Sequence, residues 1–456
     1  MGVITDKEAS TRQMNIKEAS GILVLDPIHG AEVIAEELKE LGKEAEIFNP
    51  YQTFKKSLTK NAVHASQQPF LKGLNYDLVI APVHLNPNFE VVKQTLKKGI
   101  PVMSHHEAVK EIAAIKNLFA DAKVVEVTGT VGKTAVCELI CQLLKDKFKV
   151  LSHTSSATRF KSAEEEIRFP RLGGTPANVL KVMSIAKEKN LKPDIAVFEI
   201  SLGLTGIGDV GVITSLEEDY RIAGGTKAAS AVKKASIRNY EDKSIVVHPG
   251  LSGVNVDGNT YGDKDKNLCV EENKVVFNGL RTINDDFISG ELAFKPFDSY
   301  IGAGYYGKSL EAAFCTVLSL GVPPEEVNTE VSTVKGRMKV EKIKGRFLID
   351  NSNSGTKLKF LDEITEDARR ISEKMILIIG EESGYVCEGV SVAELKEVVK
   401  NRAPEFVEII IVGEAFKKEI EGKNVFFSAG LDAALEKAVN DSEEGFVIIS
   451  NVKTWR

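Results

Sequence analysis

Tryptophan occurs once in 456 residues, and cysteine five times, at Cys137, Cys141, Cys269, Cys315 and Cys387. None of the cysteines forms a C-x-x-C pair. A zinc site or a disulfide scaffold therefore does not fit, and a reducing, cytoplasmic compartment is expected. No apolar run approaches the ~18 residues of a membrane span, so no membrane partner is expected. The opening stretch MGVITDKEASTRQMNIKEAS lacks the apolar centre of a signal peptide. Residues 1–20 are expected to form a flexible extension, with a short cap on the first strand left open. Basic blocks are missing too. With a net charge of −6 and no Lys/Arg run to track a phosphate backbone, nucleic acid is not expected as a partner. G-x-G-x-x-G is also absent, which removes the main indication of a bound dinucleotide.

What is present is an ordinary globular composition, 43% apolar and 27% charged, in a chain too long for one core. A βα rhythm recurs along it. The stretch 21-GILVLDPIHGAEVIAEELKELGKEAEIFNP-50 reads as strand, turn, amphipathic helix and strand, and 76-YDLVIAPV-83 and 90-EVVKQTLKKGIPVMS-104 repeat the unit. Such alternation implies a parallel sheet covered by helices, here a Rossmann-like N-terminal domain over 21–120. A second segment, 121–335, holds strands at 195–200, 210–215 and 244–249, then a turn-rich part at 254–280 expected to be a small antiparallel insert. The third segment, 336–456, repeats the rhythm with strands at 375–380, 407–413, 424–430 and 446–450. It is expected to be a doubly wound α/β domain.

The second segment opens on 124-VVEVTGTVGKTAVCELI-140: a buried strand, a glycine turn, and an apolar helix starting at Lys133-Thr134. A glycine-rich strand-to-helix turn aims several backbone N–H groups and the helix dipole at one point, where a phosphate binds. Lys133 would reach the β- and γ-phosphates of ATP, and Thr134 would hold Mg²⁺ through its hydroxyl. The usual P-loop begins one glycine earlier, and that position is Val127 here. Glu199 ends the apolar strand 195-IAVFE-199, at the sheet edge where ligands gather, and is a second candidate for Mg²⁺.

TGTVGKT, FEISLGLTG, VITSLEEDY, GRMKV and LIDNSNSG, in that order, resemble the motifs of the Mur ligase family over residues 121 to 456. That family writes its phosphate loop T-G-T-x-G-K-T. The resemblance implies an α/β, three-domain Mur-ligase-like architecture: a Rossmann-like N-terminal domain, a central P-loop ATPase domain and a C-terminal doubly wound α/β domain. It implies ATP and Mg²⁺ as cofactors. Gly129, Thr130, Gly132, Lys133 and Thr134 take the place of the phosphate loop, and Glu199 that of the magnesium carboxylate. Lys234 falls where the family carries a lysine carbamylated by CO₂, with the adjacent Lys233 left open as the true match. Arg337 corresponds to the arginine that follows the interdomain hinge and faces the nucleotide, and Asp350 to the aspartate that holds the ribose. Asn353 lies in the same loop, and Thr175 and Pro176 correspond to a T-P motif near the substrate. Two departures stand out. Tyr220 replaces a histidine common in relatives, and 305-YYGKS-309 replaces an H-N-x-x-N stretch used around adenine.

DPIHGAEV, 219-DYRIAGGTKAAS-230, 350-DNSNSG-355 and the C-E-G of residues 387–389 together resemble the archaeal coenzyme F-430 synthetase branch of that family. For that branch the resemblance implies a nickel tetrapyrrole substrate whose propionate is activated by ATP and attacked by a ring carbon. Arg159, Lys161, Arg168 and Arg171 are candidates to meet its carboxylates. His29, His105 and His153 are scattered along the chain, and none stands out as a nickel ligand. A monomer is expected, with a dimer left open. An amide-forming ligase, such as a pseudomurein peptide ligase, and an ATP-gated binding module are the competing readings.

Overall fold

The computed structural model describes residues 14–51, 62–63, 75–170, 172–217, 219–240, 244–253, 258–295, 304–353, 355–382 and 389–454. Residues 1–13 of the expected extension, Arg171, and residues 387–388 of the C-E-G stretch lie outside them. Residues 14–20 differ from the expectation. Ile16 and Ala19 are fully buried, and the Ile16 N–H donates to Glu111 Oε2 at 2.7 Å, because both side chains complete the apolar layer beside the first strand.

The first sheet is built by β1 (Gly21–Leu25), α1 (Ala31–Glu40), β2 (Glu44–Phe48), β3 (Ala62–Val63), β4 (Leu78–Ala81), α2 (Glu90–Lys97), β5 (Val102–Ser104) and α3 (His105–Lys116). Its strands are parallel, in the order β3-β2-β1-β4-β5. The runs GILVL and LVIA are buried almost throughout, as strands covered on both faces must be. Ala31, Ile34, Ala35 and Leu38 give α1 a single buried stripe at helical spacing. A capping box starts α3: Ser104 Oγ accepts from Glu107 N–H at 3.1 Å, and Glu107 Oε2 accepts from Ser104 N–H at 2.8 Å. It fixes His105 and His106 in the first turn.

The second sheet follows from β6 (Lys123–Thr128), α4 (Lys133–Leu143), β7 (Val150–His153), β8 (Thr158–Lys161), β9 (Glu166–Phe169), α5 (Ala177–Glu188), β10 (Ile195–Glu199), β11 (Val210–Ile213), β12 (Arg221–Ile222), β13 (Lys227–Ala228), α6 (Ala229–Ala235), β14 (Ile245–His248) and β15 (Gly258–Thr260). Its order is β15-β14-β11-β6-β10-β7-β8-β9, parallel from β15 to β7 and antiparallel beyond. Arg159, Lys161 and Arg168 fall on the β8–β9 hairpin; TRFK alternates, with Thr158 and Phe160 turned inward. In the turn-rich part, β15 joins the main sheet in parallel and was not foreseen there. After it, β16 (Leu268–Glu271), β17 (Lys274–Arg281) and β18 (Phe287–Ala293) form a separate three-stranded sheet, and α7 (Gly304–Ser319) follows.

The third sheet comprises β19 (Lys339–Ile343), β20 (Arg346–Asp350), α8 (Leu361–Arg369), β21 (Met375–Glu381), α9 (Val392–Arg402), β22 (Glu408–Val412), β23 (Val425–Ser428), α10 (Leu431–Asn440) and β24 (Val447–Lys453). Its order is β19-β20-β24-β21-β22-β23, with only the β19–β20 pair antiparallel. The chain thus carries three α/β sheets in sequence.

The chain divides into two compact units, Met1–Cys269 with Phe277–Gly290 and Ala312–Val327, and Val270–Val276 with Glu291–Glu311 and Asn328–Arg456. The first unit holds two sheets because their helices share one core. Ile22 and Val24 of β1, Ile34 and Leu38 of α1, Ile112 of α3, Leu180 of α5 and Phe198 of β10 belong to one buried cluster. Truncating Ile34 or Leu38 to alanine would cost ~2–5 kcal/mol. Among the described residues no helix is long and apolar enough to cross a membrane.

Candidate active site

At the carboxyl edge of the second sheet, β6 ends at Thr128 and the chain turns through Gly129 and Gly132 into α4. Gly129 has φ +149°, and a Cβ there would lie 2.1 Å from Thr214 Oγ1. Gly132 caps α4 at φ +86°, a left-handed conformation that glycine adopts without strain. Thr130 is pinned from below, its N–H donating to Ser215 O at 2.8 Å and its Oγ1 to Glu217 O at 2.7 Å. Lys133 Nζ folds back onto Gly129 O at 3.0 Å.

Thr134 and Glu199 meet directly. Thr134 Oγ1 donates to Glu199 Oε2 at 2.8 Å, and both side chains are buried. The same carboxylate oxygen accepts from Ser155 N–H at 3.1 Å. Ser155, in the turn after β7, carried no signal in the sequence. These are hard oxygen donors at a helix N-terminus, the donor set that a hard divalent cation takes. Glu126, also missed, is a buried anchor for the loop leaving Glu199. It accepts from Thr205 N–H at 3.0 Å, Gly206 N–H at 2.9 Å and the Tyr240 hydroxyl at 2.7 Å.

The two lysines of α6 separate. Lys233 is 1% exposed, with Nζ 3.1 Å from Tyr220 Oη and 4.8 Å from the centre of its ring. Burial, together with the positive charge of Lys133, pushes its amine from 10.5 down to about 7. Lys234 lies on the solvent side, where Nζ donates to Ser252 O. Tyr220, the departure noted in the sequence, therefore faces Lys233.

Thr175 and Pro176 precede α5 and lie against the turn after β1. A Cβ on Gly30, which has φ +107°, would be 2.6 Å from Ala177 Cβ and 3.3 Å from Thr175 Oγ1. Thr175 Oγ1 is buried without a hydrogen bond. Of the scattered histidines, His153 is structural, with Nδ1 2.8 Å from Thr158 Oγ1 and Nε2 3.1 Å from Gly173 O. His105 Nε2 lies 3.0 Å from Leu25 O, and burial pushes its imidazole down to about 3. His29 is not isolated, because it forms a cluster with Asp26 and His84. Burial works to raise the Asp26 carboxyl, but His29, His84 and Tyr51 around it outweigh that and hold it well below the usual carboxylate range. Arg159 pairs with Glu138, and Arg168 Nε donates to Glu166 Oε1 at 2.9 Å, so neither reaches out as an uncommitted anion receptor. A cavity of about 470 Å³ opens between the first two sheets, lined by Val83, His106, Lys227, Val232 and Arg238 among others.

In the second unit Arg337 sits on a tight turn between Gly336 at φ +68° and Met338 at φ +58°. Its carbonyl accepts from the Tyr306 hydroxyl, and Tyr306 Oη in turn accepts from Val334 N–H at 2.8 Å. Asp350 ends β20, buried, and accepts from Ser352 N–H at 3.0 Å. Asn353 Nδ2 donates to Gly336 O at 2.8 Å, tying the Asp350 loop to the Arg337 turn.

Comparison with known proteins places this chain in a family. The family model described as coenzyme F430 synthetase CfbE, C-terminal domain, matches residues 340–454. The coenzyme F(430) synthetase of Methanosarcina acetivorans is 30% identical over 95% of this chain and 98% of its own length. That of Methanocaldococcus jannaschii is 30% identical over 88% of this chain and 93% of its own. The crystal structure of MurF ligase from Thermotoga maritima in complex with ADP superposes with a TM-score of 0.52 at 15% identity, covering 96% of this chain and 93% of that one. At that identity the likeness is one of fold, and it is the three-domain Mur-ligase fold. With a relative this similar along almost its whole length, the chain belongs to the coenzyme F(430) synthetase family.

Proposed function

We propose that the chain is an ATP-dependent ligase that closes a carbocyclic ring to give coenzyme F-430. It would activate a propionate of a nickel seco-tetrapyrrole as an acyl phosphate and release ADP and phosphate. Residues 21–120, 121–335 and 336–456 would be its three working parts. The observation that carries the reading is the 2.8 Å contact between Thr134 and Glu199 beside Lys133, at the N-terminus of a glycine-capped helix. The family membership adds the substrate, and the ADP held by the Thermotoga MurF ligase supports the nucleotide.

A carboxylate is a poor acylating group because oxide would have to leave. Attack of its oxygen on the γ-phosphorus of ATP expels ADP and creates a carbonyl whose leaving group is phosphate. A ring carbon of the same molecule then attacks that carbonyl; it loses a proton, and the C–O bond to phosphate breaks. The loop N–H groups around Gly129–Gly132 orient the phosphates, and Lys133 neutralises charge on the transferred group. Thr134 Oγ1 and Glu199 would hold Mg²⁺, which supplies positive charge to the β- and γ-phosphates. Arg337 contributes a guanidinium, and Asp350 and Asn353 shape the nucleotide loop. Lys233 is the carbamylated lysine in this reading. Its amine, held near neutrality, adds CO₂ and loses a proton to give an anionic oxygen donor. Thr175 and Pro176 border the substrate.

Acid and nucleophile reside on one molecule, so held geometry supplies much of the rate, with effective molarities on the order of 10⁵ M or more. No amino-acid pocket is needed. Purified protein with Mg-ATP and the nickel seco-tetrapyrrole acid should form one ADP and one phosphate per ring closed. The product should weigh one water less, with a shifted visible spectrum. Turnover that requires an added amino acid, with a product heavier by that residue, would replace this reading with an amide ligase.

A further inference from the structure

We propose that His29 is the axial ligand for the nickel of the substrate, held in register by Asp26 as a positioning residue. The proposal rests on the tetrapyrrole reading above. In the first sheet β1 and β4 are neighbours, and the chain leaves them towards opposite edges. An open parallel sheet forms its ligand crevice at such a point, beyond the carboxyl ends of the strands. Asp26 directly follows β1, His29 closes the short turn after it, and His84 lies in the loop after β4. Their donor atoms fall within 4.8 Å of one another.

The arrangement is that of a histidine aimed at a metal by a carboxylate. Asp26 is 0% exposed and holds φ +77°, a left-handed conformation uncommon outside glycine. Its Oδ1 accepts from Ile28 N–H at 3.1 Å and His29 N–H at 3.3 Å. Its Oδ2 lies 2.7 Å from His29 Nδ1 and accepts from Tyr51 Oη at 2.8 Å. Facing an acceptor, Nδ1 carries the proton, and the lone pair of His29 is left on Nε2. The His29 side chain is 38% exposed while that of Asp26 is closed off, so part of the ring faces solvent. The His84 ring stands edge-on to it, with centroids 4.4 Å apart and planes at 81°, and fixes its tilt. His84 Nε2 also faces Asp26 Oδ2, at 3.5 Å, and Thr175 Oγ1 is buried without a hydrogen bond against Gly30 at the end of the same turn.

A free cation chelated by all three residues fits less well. Two ligands of one tetrahedral ion stand roughly 3.3 Å apart when each bond is ~2.0 Å, whereas Asp26 Oδ2 and His29 Nδ1 are 2.7 Å apart, a hydrogen bond. Both oxygens of Asp26 are already engaged by donors. Nickel in a macrocycle brings its own four equatorial nitrogens and needs only one further donor, for which imidazole is well suited.

The test is nickel K-edge absorption and visible spectroscopy of the nickel seco-tetrapyrrole acid bound to wild type, His29→Ala and Asp26→Asn. Wild type should show imidazole scattering at the nickel. His29→Ala should lose it and bind the substrate about tenfold more weakly, and free imidazole should restore both. Because His29 is partly exposed, its variant should keep the wild-type circular dichroism, so the test survives if Asp26→Asn does not fold. Wild type that turns over substrate without imidazole at nickel would overturn the proposal and leave the proposed function standing. Wild type that neither binds nor turns over the tetrapyrrole would fail both. Calorimetry with Ni²⁺ or Zn²⁺ alone, showing one tight ion lost in each of Asp26→Asn, His29→Ala and His84→Ala, would overturn it in favour of a chelating cage.

Discussion

Replacing Lys233 with methionine should stabilise the protein and inactivate it at the same time. The amine sits 1% exposed, and its pKa falls from 10.5 in the unfolded chain to about 7 in the fold. At pH 7 the unfolded chain holds the proton fully and the folded chain holds about half of it. At about 1.36 kcal/mol per tenfold, that mismatch costs folding about 4 kcal/mol. Methionine has nearly the same shape and no charge to desolvate. It forfeits the hydrogen bond to Tyr220 and the contact with its ring, together about 1–2 kcal/mol. The net gain is therefore about 2–3 kcal/mol, a rise of roughly 0.5 M in the urea midpoint for a chain of this size.

The sign of the pH dependence is fixed by the same numbers. Between pH 7 and 10.5 the unfolded state binds more protons at this site than the folded state, so wild-type stability rises with pH by up to about 1.36 kcal/mol per unit. Below pH 7 both states are charged and the penalty is constant. Subtracting the Lys233→Met curve from the wild-type curve, in CO₂-free buffer, should expose this slope, with the gap closing towards pH 10.5. Lys234→Met, at the half-buried neighbouring position, should leave stability within about 0.5 kcal/mol of wild type. Ligase turnover should vanish in Lys233→Met and persist in Lys234→Met, with partial rescue of the former by a small carboxylic acid. A Lys233→Met protein that is less stable than wild type, or whose pH curve parallels it, would refute the desolvation argument. Loss of activity in Lys234→Met alone would return the carbamate to that residue.

Lys133→Ala should lower substrate-dependent ADP formation by about 10²–10³-fold, the loss typical of one charge-stabilising donor, with unchanged circular dichroism; near wild-type turnover would remove Lys133 from the phosphate site. Glu199→Gln keeps a hydrogen-bonding group beside Thr134 and Ser155 but loses the charge, so the Mg²⁺ concentration for half-maximal ADP formation should rise at least about tenfold while stability stays within about 1 kcal/mol. An unchanged Mg²⁺ profile would argue that Glu199 does not meet the metal. His106 is pushed by burial from 6.5 down to about 4, so the unfolded chain takes up the proton first, and stability is lost as pH falls from 6.5 towards 4. His106→Gln should remove about 2 kcal/mol of that loss at pH 5, read from urea midpoints at pH 7 and 5; equal acid sensitivity in the two proteins would contradict it.

How much was legible in the sequence depends on whether the residues of a feature are neighbours along the chain. The phosphate turn is contiguous, and glycine, lysine and threonine at that spacing leave few other conformations, so Lys133 and Thr134 could be named directly. Glu199 needed the rule that ligands gather where parallel strands end together with the motif FEISLGLTG around it. The β rhythm of the third segment was equally plain, since MILIIG, VEIIIVG and FVIIS are too apolar to lie anywhere but inside a sheet. Adjacent Lys233 and Lys234 were inseparable, because α6 spans only seven residues and carries no strong periodicity. Burial against Tyr220 distinguishes them, and that contact depends on how the Asp219–Ala228 hairpin folds back. The Asp26–His29–His84 cluster was illegible for a different reason. A strand order of β3-β2-β1-β4-β5 brings residue 84 beside residue 26, and the sequence shows only two histidines 55 positions apart. A motif search weighs residues by proximity in the chain, whereas a parallel sheet gathers the ends of its strands at one edge. The proposed phosphate loop is accordingly one contiguous stretch of sequence. The part that would meet a flat macrocycle is assembled from strand ends and appears only once the strand order is known.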